Sequence, residues 1–304
     1  TGQGELLRDA SADPRMVRHD DPALAVRSVI VVPLRFRQHF FGVLAVTNPA
    51  EDQLFSEADF TLMQSLAEQA ALGTHSYHDD PRNAEILISV NGALVPRPQA
   101  VVSVFDSGFM LGDGVWEGIR VHNGRMAFLA EHLDRLWEGA KAIAMDIGIS
   151  RGEMVRRLYE TIDANQMDAC HIRLMVTRGV RSTPYQDPRV VVSPATIVII
   201  AEHKEPHAEV IEKGITLFTV HVRRGDPAVQ DPKLNSHSKL NCITACIQAT
   251  EAGANEGLML DPHGFVATCN STHFFIVRKG EVWTSTGDYC LGGITRGNVI
   301  RICR

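Results

Sequence analysis

The chain has 304 residues, of which 44% are hydrophobic and 22% charged, and its formal net charge is -6 at pH 7. This composition is typical of a globular protein, and the length allows two or three domains around a large buried core. Acidic and basic residues are interspersed, so the sequence shows no basic cluster of the kind that binds nucleic acid or an anionic membrane. No apolar run approaches the ~20 residues that span a bilayer.

The six cysteines, at positions 170, 242, 246, 269, 290 and 303, form no CxxC pair. Their spacing resembles neither a secreted disulfide framework nor a paired zinc motif. Cys242 and Cys246 share one face of a predicted helix, and two thiols without nearby ligands favour core packing over a metal site. The pattern predicts a reduced, cytoplasmic protein without a metal.

Residues 1–80 have the pattern of a separate module. Continuous apolar runs at 29–34 and 40–46 predict two buried strands joined by a polar turn. Ser56 predicts a helix N-cap, with Asp59 at the third helical position as a variant of the capping box, and helical spacing continues to Ala70. The module resembles the C-terminal half of a GAF domain. A plain dimerisation or packing module is the alternative.

A polar stretch at 75–82 that ends in proline and arginine predicts a linker. After it, apolar runs predict strands at 86–90 and 101–104, and Asn123-Gly124 predicts a type I′ hairpin between strands at 115–121 and 126–129. Amphipathic patterns predict helices at 131–145 and 150–165, and further apolar runs predict strands at 171–179 and 196–201.

The last third begins with a predicted strand at 215–222. A polar loop with Lys233 and Lys239 then leads into an alanine-rich helix at 243–252. Strands follow at 257–260 and 273–277, and a glycine-rich turn at 291–296 opens a final helix. Most lysines are solvated surface charges, so the order of the motifs around these two carries the argument for a function.

Five motifs lie in a fixed order from residue 112 onwards. They are a Gly-Asp-Gly-Val-Trp-Glu turn at 112–117, His-Leu-Asp-Arg-Leu at 132–136, Thr-Arg-Gly at 177–179, the lysine loop, and Gly-Ile-Thr-Arg at 293–296. This order resembles the fold-type IV pyridoxal-phosphate (PLP) enzymes, the class IV family that includes branched-chain and D-amino-acid aminotransferases.

The resemblance covers about residues 83–304 and implies an α+β protein. It places a small α/β domain at 83–205 and a larger domain at 206–304, behind the partial GAF-like module at 1–80. It also implies that the protein is a homodimer and that the chain is a fragment cut at both ends, with the larger domain truncated at its C-terminus.

The resemblance implies that Lys239 holds PLP as a Schiff base and moves a proton. Both roles require an unprotonated amine, which a lowered pKa favours. A single residue separates Lys239 from Asn241, where the family has two or three, and Lys233 is the competing candidate. Cys242 replaces a tyrosine that in some relatives faces the cofactor hydroxyl.

Phosphate binding is implied for three residues. Arg135 matches the family's phosphate arginine, whose planar guanidinium grips phosphate bidentately; a surface helix arginine is the alternative. Ile294 and Thr295 match the residues whose backbone amides, together with the threonine hydroxyl, bind phosphate at a helix N-terminus.

The residues around the cofactor ring depart from the family. Thr268 stands where the aminotransferases place a glutamate that keeps the ring nitrogen protonated. No glutamate lies between Asp261 and Lys279 to take its place. Asn270, Ser271 and Thr272 replace the usual small polar run around the cofactor. The sequence therefore predicts a weakened electron sink.

Substrate contacts are implied for four residues. Arg120 and Arg173 match the L-branched-chain enzymes, whereas Arg178 matches the arginine that binds the carboxylate in D-amino-acid enzymes. Because side chains alternate along a strand, Arg173 and Arg178 cannot face the same way if the strand is regular. Trp116 either walls the pocket or packs in the core.

The resemblance implies an aminotransferase that moves an amino group between an amino acid or amine and a 2-oxo acid. An elimination like that of aminodeoxychorismate lyase is one alternative. A GAF-linked regulatory protein that binds PLP with little turnover is another, because Thr268 cannot supply the carboxylate.

Overall fold

The computed structural model describes residues 5–10, 13, 15, 28–36, 39–48, 55–57, 59–60, 80–204, 210 and 213–304, and it divides into two units, Thr1–Asp79 and Asp80–Arg304. The described strands are β1 (Glu5–Leu7), β2 (Ser28–Phe36), β3 (His39–Asn48), β4 (Leu87–Val90), β5 (Ala93–Pro96), β6 (Gly114–His122), β7 (Arg125–Met126), β8 (Cys170–Thr177), β9 (Thr196–Glu202), β10 (Leu217–Thr219), β11 (Glu256–Leu260), β12 (Val266–Cys269), β13 (Phe275–Arg278) and β14 (Glu281–Thr284). The described helices are α1 (Ser107–Leu111), α2 (Leu129–Ala142), α3 (Arg151–Ala164), α4 (Leu240–Glu251) and α5 (Ile294–Cys303).

The first unit contains an antiparallel sheet in the order β1-β2-β3, which confirms the two predicted strands. The predicted capping box is also confirmed. The Asp59 amide donates to the Ser56 hydroxyl at 3.2 Å, and the Ser56 amide donates to the Asp59 carboxylate at 2.8 Å. The predicted continuation of this helix to Ala70 and most of the predicted linker lie outside the described residues.

The second unit is built on a six-stranded antiparallel sheet in the order β5-β4-β9-β8-β6-β7. Alternate residues of β6, β8 and β9 are buried and pack with the apolar faces of α2 and α3 in one hydrophobic core. Because side chains alternate along a strand, the intervening residues project from the opposite face of the sheet. That opposite face carries Trp116 and Arg173, and it forms one wall of the candidate site.

The remaining residues form two small sheets. Strands β10, β11 and β12 make one sheet, in which β10 and β11 are parallel and β11 and β12 antiparallel. Ala245 and Ala249 of α4 pack against Met259 of β11, and these small residues allow the helix to lie close to the sheet. Strands β13 and β14 form a separate hairpin that precedes α5.

Local sequence signals account for the predicted elements that are confirmed. Asn123 and Gly124 have φ angles of 49° and 70°, the two left-handed residues of a type I′ turn, and they join β6 to β7. Ser150 caps α3, its hydroxyl accepting a hydrogen bond from the Glu153 amide at 3.1 Å.

The prediction of a strand at 101–104 is wrong. On the side away from β9, β4 pairs with β5 at Ala93–Pro96, and the chain then enters a short 3-10 helix at Arg97–Gln99 that begins after Pro96. A valine-rich segment becomes a strand only where a neighbouring strand can pair with it. Val101 and Val104 instead stand 72% and 67% exposed.

No helix within the described residues combines the length and apolar character needed to cross a membrane. The same residues contain no cluster of three or more histidine, cysteine or acidic side chains placed to hold a metal ion. The domain boundaries at 80, 83 and 205/206 stay predictions.

Candidate active site

Lys239 lies at the N-cap position of α4, where the lysine loop turns into the helix. Its amine donates to Asn235 Oδ1 at 3.2 Å and lies 5.3 Å from the centroid of the Trp116 ring. Burial lowers the pKa of Lys239, and Arg224, Arg135 and Arg173 lower it further, against an opposing effect of Cys242. Because its pKa is lowered, a larger fraction of Lys239 than of a surface lysine is the unprotonated amine. The unprotonated amine is the nucleophilic form.

Lys233, the competing lysine, has a different environment. Its side chain is 56% exposed, and its amine lies 3.9 Å from the carboxylate of Asp288, itself 66% exposed. This is a solvated surface pair of the kind that contributes little energy. The structure therefore brings Lys239, and not Lys233, beside Trp116.

The lysine loop is anchored to the large sheet through Trp116 of β6. The Trp116 amide donates to the Asn235 carbonyl at 2.9 Å, and the Asn235 side-chain amide returns a hydrogen bond to the Trp116 carbonyl at 2.6 Å. The Trp116 indole N–H donates to the Ser236 carbonyl at 3.0 Å. These hydrogen bonds join polar groups of Trp116 to polar groups of the lysine loop. The apolar face of the indole ring then borders the space beside Lys239.

Arg173 of β8 stacks on the Trp116 ring, with its guanidinium carbon 3.7 Å from the ring centroid, a cation–π contact. Gly118 lies opposite Arg173 in the pairing of β6 and β8, and a Cβ at position 118 would stand 3.1 Å from His171 Nε2. Burial lowers the pKa of His171 to about 4, with Lys204, Arg120 and Arg173 adding to the effect. His171, which sequence reasoning missed, is thus a neutral imidazole on the site face.

The other two predicted substrate arginines are bound to the protein itself. Arg178 follows the end of β8 and donates to both carboxylate oxygens of Asp113, at 2.7 and 3.0 Å, and to the carbonyls of Ile143 and Ala144. Arg120 donates to the Lys204 carbonyl. Arg173 is therefore turned towards Trp116 and Arg178 towards Asp113, so we assign Arg178 to the packing of the turn before β6.

Arg135 of α2 is held by a buried carboxylate, Glu117 of β6, which has no exposed surface. Its Nε and one terminal nitrogen donate to the two Glu117 oxygens at 2.8 and 2.6 Å, and His132 Nδ1 lies 2.6 Å from the same carboxylate. Burial alone would raise the pKa of Glu117, but the hydrogen bonds of His132 and Arg135 hold it below its usual value. Glu117 thus stays charged and fixes the direction of Arg135.

The remaining terminal nitrogen of Arg135 donates to the Gly292 carbonyl at 2.9 Å, which places the guanidinium at the turn before α5. Gly293 caps the helix, and a Cβ there would lie 2.1 Å from His273 Nε2, so a larger residue at this position would require the His273 ring to move. The amides of Ile294 and Thr295 are in the first turn of α5, where helix geometry provides no internal acceptor. Free amides, the positive end of the helix dipole and Arg135 together fit a phosphate group.

Thr268 is buried in β12, and its hydroxyl donates to the Thr272 carbonyl at 2.8 Å. The three polar residues that were predicted to surround the cofactor lie in the same loop, with their side chains bonded to β11. Asn270 Oδ1 accepts from the Gly257 amide at 2.6 Å, whereas the hydroxyls of Ser271 and Thr272 donate to Glu256 at 2.6 and 2.7 Å.

Sequence reasoning missed Arg224, which joins three segments of the site. One terminal nitrogen lies 3.1 Å from both Asn241 Oδ1 and Cys242 Sγ at the start of α4. Its Nε donates to the Tyr289 carbonyl at 3.2 Å, and its backbone amide donates to the Leu260 carbonyl at the end of β11. The only sequence signal is an Arg-Arg pair in a loop, because these partners lie 17 to 65 positions away.

Comparison with known proteins gives two family matches. The model described as Amino-transferase class IV matches residues 114–304, and the model described as GAF domain matches residues 1–73. Branched-chain-amino-acid aminotransferase-like protein 1 of Arabidopsis thaliana is 41% identical over 223 residues, which are 73% of this chain and 40% of that protein. The chain thus spans less than half the length of this plant relative.

A putative branched-chain-amino-acid aminotransferase of Methanocaldococcus jannaschii is 41% identical over 218 residues, which are 71% of this chain and 74% of that protein. Among solved structures, the T.th. branched-chain amino acid aminotransferase complexed with N-(5'-phosphopyridoxyl)-L-glutamate has a TM-score of 0.66 at 30% identity and covers 72% of each chain. The partly buried lysine, the anchored arginine and the glycine turn before α5 all lie within the class IV match. The chain belongs to the class IV aminotransferase family, with fold-type IV architecture and a GAF domain at its N-terminal end.

Proposed function

We propose that the protein is a PLP-dependent aminotransferase that moves an amino group between an amino acid or amine and a 2-oxo acid. The observation that carries the proposal is the partly buried amine of Lys239, whose pKa is lowered by burial and then by nearby arginines that include Arg135. Arg135 in turn reaches the turn before α5. A nucleophilic amine and an anion site therefore belong to one constellation.

The residues present fit PLP. Arg135, the amides of Ile294 and Thr295 and the Thr295 hydroxyl would hold the phosphate, and Lys239 would hold the aldehyde carbon. When bound, PLP supplies an electrophilic carbon for the amino group and an electron sink beside it. The phosphopyridoxyl-glutamate complex of the T.th. relative supports this choice of cofactor.

The chain's own residues provide binding and proton transfer. Asn235 accepts a hydrogen bond from Lys239 and so directs its amine, while Trp116 excludes water from one side. As a free amine of lowered pKa, Lys239 would take the proton from the donor carbon that bears the amino group, and as the ammonium it would give that proton to the cofactor carbon that receives the amino group. Arg173, stacked on Trp116, offers guanidinium donors to the carboxylate that amino acids and 2-oxo acids share.

The phosphate site gives the direct test of the cofactor assignment. In Arg135→Gln we expect PLP to bind about ten- to a hundredfold more weakly, because a charge-assisted hydrogen bond contributes ~1.5–3 kcal/mol. Pyridoxal, which lacks the phosphate, should bind the variant and the natural protein equally. The measurement is a titration followed by the change in cofactor absorbance. An equal loss for both compounds would contradict a phosphate site at Arg135.

Thr268 supports a second candidate function, that of a GAF-linked regulatory protein that binds PLP and converts little substrate. The Thr268 hydroxyl is neutral and already bonded to the Thr272 carbonyl, so the site offers no charge to the ring nitrogen at this position. Stable PLP binding without transfer of an amino group across a broad panel of donors and acceptors would establish this alternative.

We also propose a homodimer, with its interface on the segment at 101–111. This segment presents six large apolar side chains that are 40–72% exposed: Val101, Val102, Val104, Phe105, Phe109 and Leu111. Exposed apolar side chains that are grouped in one segment are typical of a surface that contacts another protein. A second copy of the chain is the partner that we propose for this apolar surface, because most homodimers pair the same surface of both subunits.

Phe109→Glu is therefore expected to convert the dimer to a monomer at micromolar concentration, because a carboxylate would be buried without a partner. Light scattering coupled to size-exclusion chromatography measures the change. Val229→Glu, at a position that is 84% exposed and outside the segment, is the matched control and should remain dimeric. A dimer that survives Phe109→Glu would place the interface elsewhere.

A cytoplasmic location is part of the proposal. All six cysteines lie within the described residues and all six are free thiols. This state suits a reducing compartment.

A further inference from the structure

Glu256, the first residue of β11, is a buried carboxylate that the proposed reaction does not use. It is 5% exposed, and one of its oxygens accepts from the Ser271 amide at 3.0 Å and from the Ser271 hydroxyl at 2.6 Å. Its other oxygen accepts from the Thr272 hydroxyl at 2.7 Å. A buried charge is costly unless it is bonded in this way, and here every bond goes to one loop.

Thr272 connects Glu256 to Thr268. Its hydroxyl is held by Glu256, and its carbonyl accepts from the Thr268 hydroxyl at 2.8 Å and from the Cys269 amide at 3.1 Å. The pairing of β11 with β12 shifts register next to Thr268, between Met259 and Leu260. Irregularities of this kind redirect a side chain, and they recur beside active sites.

The donor geometry restricts what Thr268 can offer. A hydroxyl has one proton and two acceptor lone pairs, and the proton of Thr268 is directed to the Thr272 carbonyl. While Thr272 is held, Thr268 can only accept a further hydrogen bond. A ligand group that faces Thr268 must therefore carry an N–H or O–H to form a hydrogen bond with the Thr268 oxygen.

We propose that Glu256 is a positioning residue that acts through Thr272 to hold the Thr268 hydroxyl as a hydrogen-bond acceptor for the ring nitrogen of PLP. The inference rests on the proposed function and on the family resemblance, which implies that Thr268 occupies the position of the group at the ring nitrogen. An acceptor there stabilises the protonated ring nitrogen, and loss of the restraint lets the hydroxyl rotate and donate to the unprotonated form.

The charge of Glu256 also reaches the strand that carries Thr268. Burial raises the pKa of Cys269, the next residue of β12, to about 11, and the Glu256 carboxylate adds to the effect. The Glu256 charge disfavours a thiolate at Cys269, and by the same electrostatic effect it would favour a proton on a ring nitrogen bound beside Thr268.

A double-mutant cycle on the full protein with bound PLP tests the relay from Glu256 to Thr268. Thr272→Val removes the hydroxyl that Glu256 holds and keeps the carbonyl, and Thr268→Val removes the positioned hydroxyl. We expect each single variant to bind PLP about three- to tenfold more weakly, the factor of one hydrogen bond of ordinary net strength. Each should also shift the pH at which the absorbance of the bound cofactor changes.

The double variant should show no further loss of affinity and no further shift beyond Thr268→Val. Asp261→Asn is the matched control, because Asp261 is a buried carboxylate just beyond the other end of β11 that accepts from the His263 and Phe265 amides. It should leave the pH profile unchanged. Glu256→Gln, which keeps acceptors for Ser271, is the second variant and should shift the profile as Thr272→Val does.

Additive effects of Thr272→Val and Thr268→Val would overturn the inference, as would an unchanged pH profile in both Thr272→Val and Glu256→Gln. These results would leave the proposed function intact, because the natural protein would still bind PLP. Failure of the natural protein to bind PLP at Lys239 would instead remove the proposed function, and the inference with it.

Discussion

Lys239→Ala is expected to abolish both the covalent attachment of PLP and the transfer of amino groups. Lys239 is the partly buried lysine beside Trp116, and its pKa is lowered by burial and by neighbouring arginines. Borohydride reduction of the protein with bound PLP fixes the cofactor to its lysine, so intact-mass measurement reports the attachment directly. We expect a reduced adduct in the natural protein and none in Lys239→Ala.

Lys233→Ala is the matched control, because Lys233 lies in the same loop and its side chain is 56% exposed in a surface pair with Asp288. It should form the adduct as the natural protein does. If the PLP label is found on a peptide that carries Lys233, then Lys233 binds the cofactor and the assignment to Lys239 is wrong. The comparison matters because a single residue separates Lys239 from Asn241.

Thr268→Glu is expected to speed the conversion of bound PLP to its amine form by about tenfold or more, which corresponds to about 1.4 kcal/mol in the barrier. A carboxylate at this position supplies the charge that keeps the ring nitrogen protonated, whereas the Thr268 hydroxyl supplies none. Single-turnover absorbance with the same amino donor measures the rate in each protein.

Thr268→Gln is the control, since glutamine has the size of glutamate without its charge. Position 268 is 6% exposed, so an unpaired carboxylate there would take up a proton, and the gain depends on pairing with the ring nitrogen. The natural protein could instead convert bound PLP quickly, and the glutamate variant more slowly with cofactor still bound. In that case Thr268 takes part in a different mechanism and does not weaken the electron sink.

The elements that the sequence predicted well depend on short-range chemistry. The Asn123-Gly124 turn and the caps at Ser56 and Ser150 are set by residues within three positions of one another. The segment at 101–104 failed because valine propensity does not specify a pairing partner, which depends on the whole sheet. Strand alternation separated Arg173 from Arg178, but only the contacts with Trp116 and Asp113 show which of the two faces the site.

The residues that the sequence did not reveal act through distant partners. Arg224 bonds to groups 17 to 65 positions away, and Glu256 bonds to a loop 15 to 16 positions away across a strand pair. Neither belongs to a local motif, because one lies in an Arg-Arg loop and the other opens an apolar strand. Their roles follow from how α4, β11 and the turn before α5 pack together, which spacing alone does not encode.

Transfer of an isotope-labelled amino group tests the central claim most directly. The natural protein with bound PLP is given a labelled amino acid, freed of excess donor, and then given an unlabelled 2-oxo acid. We predict that the label appears in the amino acid formed from the 2-oxo acid, in an amount that approaches one equivalent of bound cofactor, and that Lys239→Ala forms none. Cofactor that is bound at Lys239 but passes no label to any 2-oxo acid would contradict the claim that this protein is an aminotransferase.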